Sequence, residues 1–168
     1  MKEIKELNEE AVLEILKSYG DDPQQIIAVL LDIQAASGRH YVDKRWAKLV
    51  SERLNVPLTK VFDVLSFYAM FSTEPRGVRL IEICESVPCR FGRPGLRAKK
   101  LERWLENAAG IKINGTSADG KLSLSRTSCV GACDIGPAVK IGDEVFGNLT
   151  EEKIKELVRR CLESDEVK

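Results

Sequence analysis

Along residues 8–71 apolar side chains recur every three or four positions, the spacing of helices with one buried face. Val12, Ile15, Leu16 and Tyr19 form the first stripe. Asn8 is placed to cap it, Leu7 and Val12 to staple its entry, Glu9 and Glu10 to face its positive end, and Gly20 to close it. Asp22, Pro23 and Gln25 read as cap, first helical position and capping-box partner of a second helix. Its face is predicted at Ile26, Ile27, Leu30, Leu31 and Ile33, with Ser37 and Gly38 ending it. Asp43 caps a third helix carrying Trp46, Leu49, Val50 and Leu54, closed by Asn55. Pro57 opens a fourth that the pattern carries to about Phe71. This last helix is apolar on more than one side, which suits the centre of a small bundle or a face kept for a partner protein.

The pattern changes at residues 72–77, a turn-rich stretch containing Pro75 and Gly77. It divides the chain into a helical segment, 1–76, and a second domain, 77–168. In the second part β-prone runs at Arg79–Cys84 and Leu122–Thr127 bracket a helix that Pro94 can open, with Leu101, Trp104, Leu105 and Ala108 as its stripe. A turn at residues 118–120 precedes the second strand. Val139–Ile141 and Val145–Gly147, linked by residues 142–144, read as a hairpin. Thr150 caps a last helix with Ile154, Leu157, Val158, Cys161 and Leu162 on one face. The class is α+β, in the order strand, helix, three strands, helix.

Charge narrows the choice of partners. Lys and Arg total 26 and Asp and Glu total 26, so no global field selects nucleic acid or an anionic membrane. A basic stretch, Arg90, Arg93, Arg97, Lys99, Lys100 and Arg103, reads as a solvated helix face beside Glu102 and Glu106, or as a docking patch. The start lacks the apolar centre of a secretory signal, and the longest apolar run, Ile26–Leu31, is too short to enter a bilayer as a span. A cytoplasmic, reduced protein is expected, where thiols are more often metal ligands or redox groups than disulfides.

Four of the five cysteines fall in two short loops, Cys84 and Cys89 in I-C-E-S-V-P-C, Cys129 and Cys133 in C-V-G-A-C-D-I-G-P. Each pair stands beside a strand-forming run. Two pairs of thiolates match a [2Fe–2S] cluster, in which each iron takes two bridging sulfides and two cysteines. A four-cysteine zinc site accepts similar spacing, and spacing alone does not separate the two. Gly131 and Gly136 are expected to let the backbone approach and aim N–H groups at sulfur. A cluster ligated only by cysteine has a low potential, on the order of −400 mV, with Glu82, Glu85 and Asp134 lowering it and Arg90 raising it. Neither pair is C-x-x-C, which disfavours a dithiol oxidoreductase. One histidine, His40, is too few for a Rieske centre. Cys161, on an apolar stripe, reads as an inert buried thiol. No catalytic triad, carboxylate pair or phosphate loop stands out.

The runs S-F-Y-A-M-F, I-E-I-C-E-S-V-P-C, D-G-K-L-S-L, C-V-G-A-C-D-I-G-P-A-V and G-N-L-T resemble the 24 kDa subunit family of NADH:quinone oxidoreductase (complex I), the thioredoxin-like [2Fe–2S] ferredoxins. The resemblance runs from about Ile26 to Leu162. It implies a helical N-terminal segment followed by a thioredoxin-like domain with a four-stranded sheet and flanking helices. It also assigns the cluster to Cys84, Cys89, Cys129 and Cys133, over the alternative of a zinc-stabilised, non-redox interaction module. G-P stands at 136–137 where A-P is usual, and R-F-G-R-P-G-L is longer than the usual link after the first pair. Asp43 stands where many relatives have proline. Family members are electron-transfer subunits beside a flavoprotein that binds FMN and NADH. Complex I, NAD-linked [FeFe]-hydrogenases, formate dehydrogenases, transhydrogenases and electron-bifurcating complexes use the same module, some with further iron–sulfur subunits. This sequence has no G-x-G-x-x-G loop, so the flavin and NAD(H) are expected in the partner.

Overall fold

Asn8 starts the first helix by accepting the Ala11 N–H at 2.9 Å, and α1 (Glu9–Ser18) follows with Val12 and Leu16 buried. Described here, in a computed structural model, are residues 7–92 and 95–163. Leu7 and Val12 are both buried in the same core, and Gly20 leaves the helix at φ +67. The Asp22 carboxylate accepts from Gln24 at 2.8 Å, not from Gln25, so Pro23–Gln25 is a 3-10 turn and α2 (Ile26–Ala36) begins after it. The buried positions of α2 are Ile26, Val29, Leu30, Ile33 and Gln34, while Ile27 and Leu31 stay at its margin. Apolar residues nearly encircle this helix, so its sequence did not choose the face; packing did.

α3 (Lys44–Arg53) is capped by Asp43, which accepts the Arg45 N–H at 2.8 Å, and Asn55 ends it at φ +51. α4 (Leu58–Phe67) stops one turn earlier than the apolar pattern suggested. Tyr68 turns extended, at φ −88 and ψ 116. Gln34 then holds the departing chain, donating to the Met70 carbonyl at 2.9 Å and accepting the Ser72 N–H at 2.8 Å. That clamp explains a buried amide in an apolar helix. Val61, Val64, Leu65 and Phe71 join the core with α1–α3, which fits the bundle-centre reading of most of the stretch, whereas Phe67 is 80% exposed and Met70 41%.

After residue 77 the chain builds a sheet. β1 (Arg79–Cys84) pairs in parallel with β2 (Leu122–Thr127), Arg79 opposite Leu122 and Cys84 opposite Thr127. A parallel pair needs a crossover, supplied by α5 (Val87–Phe91) and α6 (Ala98–Ala109). β3 (Val139–Ile141) runs antiparallel to β1, and β4 (Glu144–Phe146) antiparallel to β3, giving the order β2-β1-β3-β4. The hairpin is tighter than expected. Ile141 pairs with Glu144, so only Gly142 and Asp143 turn, with Gly142 at φ +58. α7 (Glu151–Glu163) starts where Thr150 accepts the Lys153 N–H at 3.3 Å. The expected helix start at Pro94 lies outside the described residues; α6 itself begins at Ala98 and ends on Gly110 in the left-handed region.

α6 and α7 pack together over the sheet face that bears Ile81, Ile83, Leu122, Leu124 and Val139, burying Leu101, Leu105, Ile154 and Val158 with it. This is the α+β architecture read from the sequence, with its four-stranded mixed sheet. Met1–Arg76 and Gly77–Lys168 form two units, and their cores share no residue. Among the described residues no helix is long and apolar enough to cross a membrane.

Candidate metal centre

Sheet register gathers the cysteines. β1 ends on Cys84, and its parallel neighbour β2 ends at Thr127, two residues before Cys129. On the other side the Cys84 N–H donates to the Ala138 carbonyl at 3.1 Å, where the chain from Cys133 returns to enter β3. Glu85 donates to the Thr127 carbonyl at 3.1 Å. Both cysteine loops therefore open at one end of the sheet.

Cys89 was expected in a loop and lies instead in α5. Ser86 stands extended at its N-cap and Pro88 occupies the first turn, the two residue types that start helices. Cys84 and Cys89 are 1% and 2% exposed, whereas Cys129 and Cys133 are exposed.

The sulfurs of the first pair are held by the second loop as well as by their own. Burial works to raise the Cys84 thiol, but the Ser86 hydroxyl and N–H and the Val130 N–H outweigh it and bring its pKa below the ordinary value. The Cys84 Sγ–Ser86 Oγ distance is 3.3 Å. Burial pushes Cys89 up, with Cys84 acting the same way, against a hydrogen bond from the Ala138 N–H. Cys133 is raised by desolvation, then by the charge of Cys129 and a hydrogen bond to it, with a smaller effect from Cys84. Within each pair one thiol thus perturbs the other, and Cys84 also acts on Cys133.

At Cys84 and Cys89 the N–H donors are Ser86, Val130 and Ala138, while the Gly136 N–H turns to the Cys133 carbonyl at 3.4 Å. Gly136 contributes room: a Cβ there would lie 3.2 Å from Cys89 Sγ and 3.4 Å from the Cys133 carbonyl oxygen. Gly131 adopts φ +78 with nothing within 4 Å of a Cβ position, so its task is the turn. Ser86 could have been suspected from its place two residues after a cysteine and one before a helix start. Val130 and Ala138 carry no such mark, because a backbone donor is independent of side-chain type.

Among the described residues no three His, Cys, Asp or Glu side chains converge as a site for a single ion. One zinc would need four sulfurs within about 4 Å of one another, from a Zn–S bond of about 2.3 Å. Two separate pairs of thiols suit a binuclear cluster better, since each iron would take one pair. Cys161 sits apart among Ile154, Leu157 and Val158, its thiol raised by burial. Nearby, Arg126 binds Glu102 at 2.9 Å and reaches Glu85 at 3.6 Å, so the Glu85 charge beside the cysteines is partly offset.

The profile of the thioredoxin-like [2Fe–2S] ferredoxin family matches residues 12–162. The chain belongs to that family. The cofactor of these ferredoxins is a [2Fe–2S] cluster. Among curated relatives, the HndA component of the NADP-reducing hydrogenase of Solidesulfovibrio fructosivorans is 29% identical over 147 residues, covering 88% of this chain and 82% of that protein. One of the subunits of the NADH-quinone oxidoreductase of Escherichia coli (strain K12) is 31% identical over 159 residues, covering 94% and 92%. A chain of the crystal structure of an air-oxidised NAD+-reducing [NiFe]-hydrogenase shares the fold, with a TM-score of 0.68 at 22% identity over 82% of this chain. This ferredoxin spans 23% of that longer chain.

Proposed function

We propose that this ferredoxin holds one [2Fe–2S] cluster on Cys84, Cys89, Cys129 and Cys133 and passes single electrons beside a subunit that binds FMN and NADH. The observation that carries the reading is the pairing of the four cysteines at one end of the sheet, the first pair buried and the second exposed. The relatives named as subunits of NADH-quinone oxidoreductase and NADP-reducing hydrogenase support a place in a multisubunit, nicotinamide-linked oxidoreductase. When bound, the cluster supplies reversible one-electron storage. Cys84 and Cys89 would ligate it from the sheet end and α5, shielded from water. Cys129 and Cys133 would ligate it from the loop that faces solvent. Ser86, Val130 and Ala138 direct donors at the buried sulfurs, which stabilises thiolate charge and moderates the low potential.

The test is anaerobic purification followed by metal analysis. A brown-red protein with about two irons and two acid-labile sulfides per chain is expected. A colourless protein with one tightly held zinc would replace this reading with the zinc-stabilised module. The isolated ferredoxin should not oxidise NADH with an artificial acceptor, and adding the flavin-binding subunit of its own complex should start turnover. Turnover by the chain alone would overturn the division of labour.

A further inference from the structure

We infer that the surface formed by α5 and the first turn of α6 is where the ferredoxin docks on its flavin-binding partner, and that the partner meets it with an apolar patch rimmed by Asp and Glu. The inference rests on the functional reading above and says where that contact lies.

Val87 and Phe91 are 67% and 68% exposed and stand four residues apart in α5, so they share its outer side. Cys89, between them, points inward and is 2% exposed. The patch is thus the outer skin over one proposed ligand. Gly92, ending α5 at φ +64, lies so close to the backbone ahead of α6 that a Cβ would sit 2.8 Å from Arg97 Cα. The two elements form one surface.

Its rim is cationic against local rules. α6 opens on Arg97, Lys99 and Lys100 with no acidic residue in its first turn, although a helix N-terminus favours negative charge. The carboxylates that a solvated face would use are committed elsewhere, Glu102 to Arg126 at 2.9 Å and Glu106 to Lys112 at 3.0 Å. Among the described residues no carboxylate pairs with Arg90, Arg97 or Lys99. The whole chain balances 26 cations with 26 anions, so the charge is segregated rather than general. An arrangement that costs the monomer helix stability and leaves two large apolar side chains in water is accounted for by an interface with an apolar centre and a complementary charged rim. That anatomy favours a protein over a nucleic acid, whose backbone would not cover Val87.

The test uses the full-length, cluster-loaded chain and the separately purified flavin-binding subunit of its complex. The Arg97→Glu/Lys99→Glu double variant and Phe91→Ala are compared with wild type by titration at low and high salt. Both should keep their iron content and visible spectrum. The double variant should bind at least about tenfold more weakly at low salt, with the gap closing as salt rises, and Phe91→Ala should weaken binding at both. Wild-type binding with neither variant impaired would overturn this docking face and leave the functional reading standing. A wild-type chain that does not bind the flavoprotein at all would overturn that reading itself. A salt-sensitive affinity for an RNA oligomer, or a salt-sensitive dimer of the ferredoxin, lost in the double variant while flavoprotein binding persists, would also overturn the docking face.

Discussion

At the scale of single residues, the cysteines divide by surroundings rather than by type. Cys84 and Cys89 are as buried as Cys161, but hydrogen-bond donors reach them, whereas apolar neighbours surround Cys161. Serine at Cys84, Cys89, Cys129 or Cys133 should lower bound iron or shift the visible spectrum. Cys161→Ser should leave both unchanged and cost roughly 1–3 kcal/mol of stability in a denaturant melt, because it buries a hydroxyl in an apolar stripe. Cluster loss in Cys161→Ser together with retention in Cys129→Ser would reverse the assignment. Ser86→Ala removes a donor 3.3 Å from Cys84 Sγ. Redox titration should then find a more negative potential by up to about 40 mV, the one-electron equivalent of a hydrogen bond worth about 1 kcal/mol.

At the scale of elements, α6 shows a helix whose two ends are treated differently. Its first turn carries cations and no carboxylate, so Lys99→Glu alone should stabilise the fold by about 0.3–1 kcal/mol, read as a higher melting temperature. Its last turn is fastened by Glu106, which accepts from Lys112 at 3.0 Å and from the Ile113 N–H at 3.1 Å. The Lys112 hydrogen bond, then that of Ile113, hold the Glu106 carboxyl below the usual carboxylate range. A depressed folded pKa means stability present above the unfolded carboxylate pKa and lost as pH falls through the folded one. Glu106→Gln should therefore be less stable than wild type at neutral pH, the difference shrinking in acid; a pH-independent difference would contradict the ion pair. α1 depends on its cap, and Asn8→Ala should cost about 0.5–2 kcal/mol in thermal unfolding.

For the whole molecule, the segment Met1–Arg76 has a core of its own and holds none of the four proposed ligands. A chain beginning at Pro75 should fold around the core of Ile81, Leu101, Leu124 and Ile154, keep its colour and be reduced by dithionite. A colourless or unfolded truncated chain would show that the first segment is needed to complete the second. Within that truncated chain, Leu101→Ala should cost roughly 2–5 kcal/mol, since Leu101 is fully buried against the sheet.

Much of this was legible in the sequence because it is local. Caps at Asn8, Asp43 and Thr150, the two long strands and the spacing of the cysteine pairs depend on neighbours a few residues away. The end of α4 was not legible, because the chain leaves the helix where Gln34, more than thirty residues earlier, captures residues 70 and 72. Nor was the face of α2, whose apolar residues serve more than one orientation until α1 packs against it. At the candidate centre the sequence by itself determined which thiols come in pairs. Only the tertiary structure decided that the parallel register of β1 and β2 and the return into β3 bring both loops to one end of the sheet. It also decided that backbone donors from Val130 and Ala138 reach the buried pair, because strand register and close approach are properties of the folded chain.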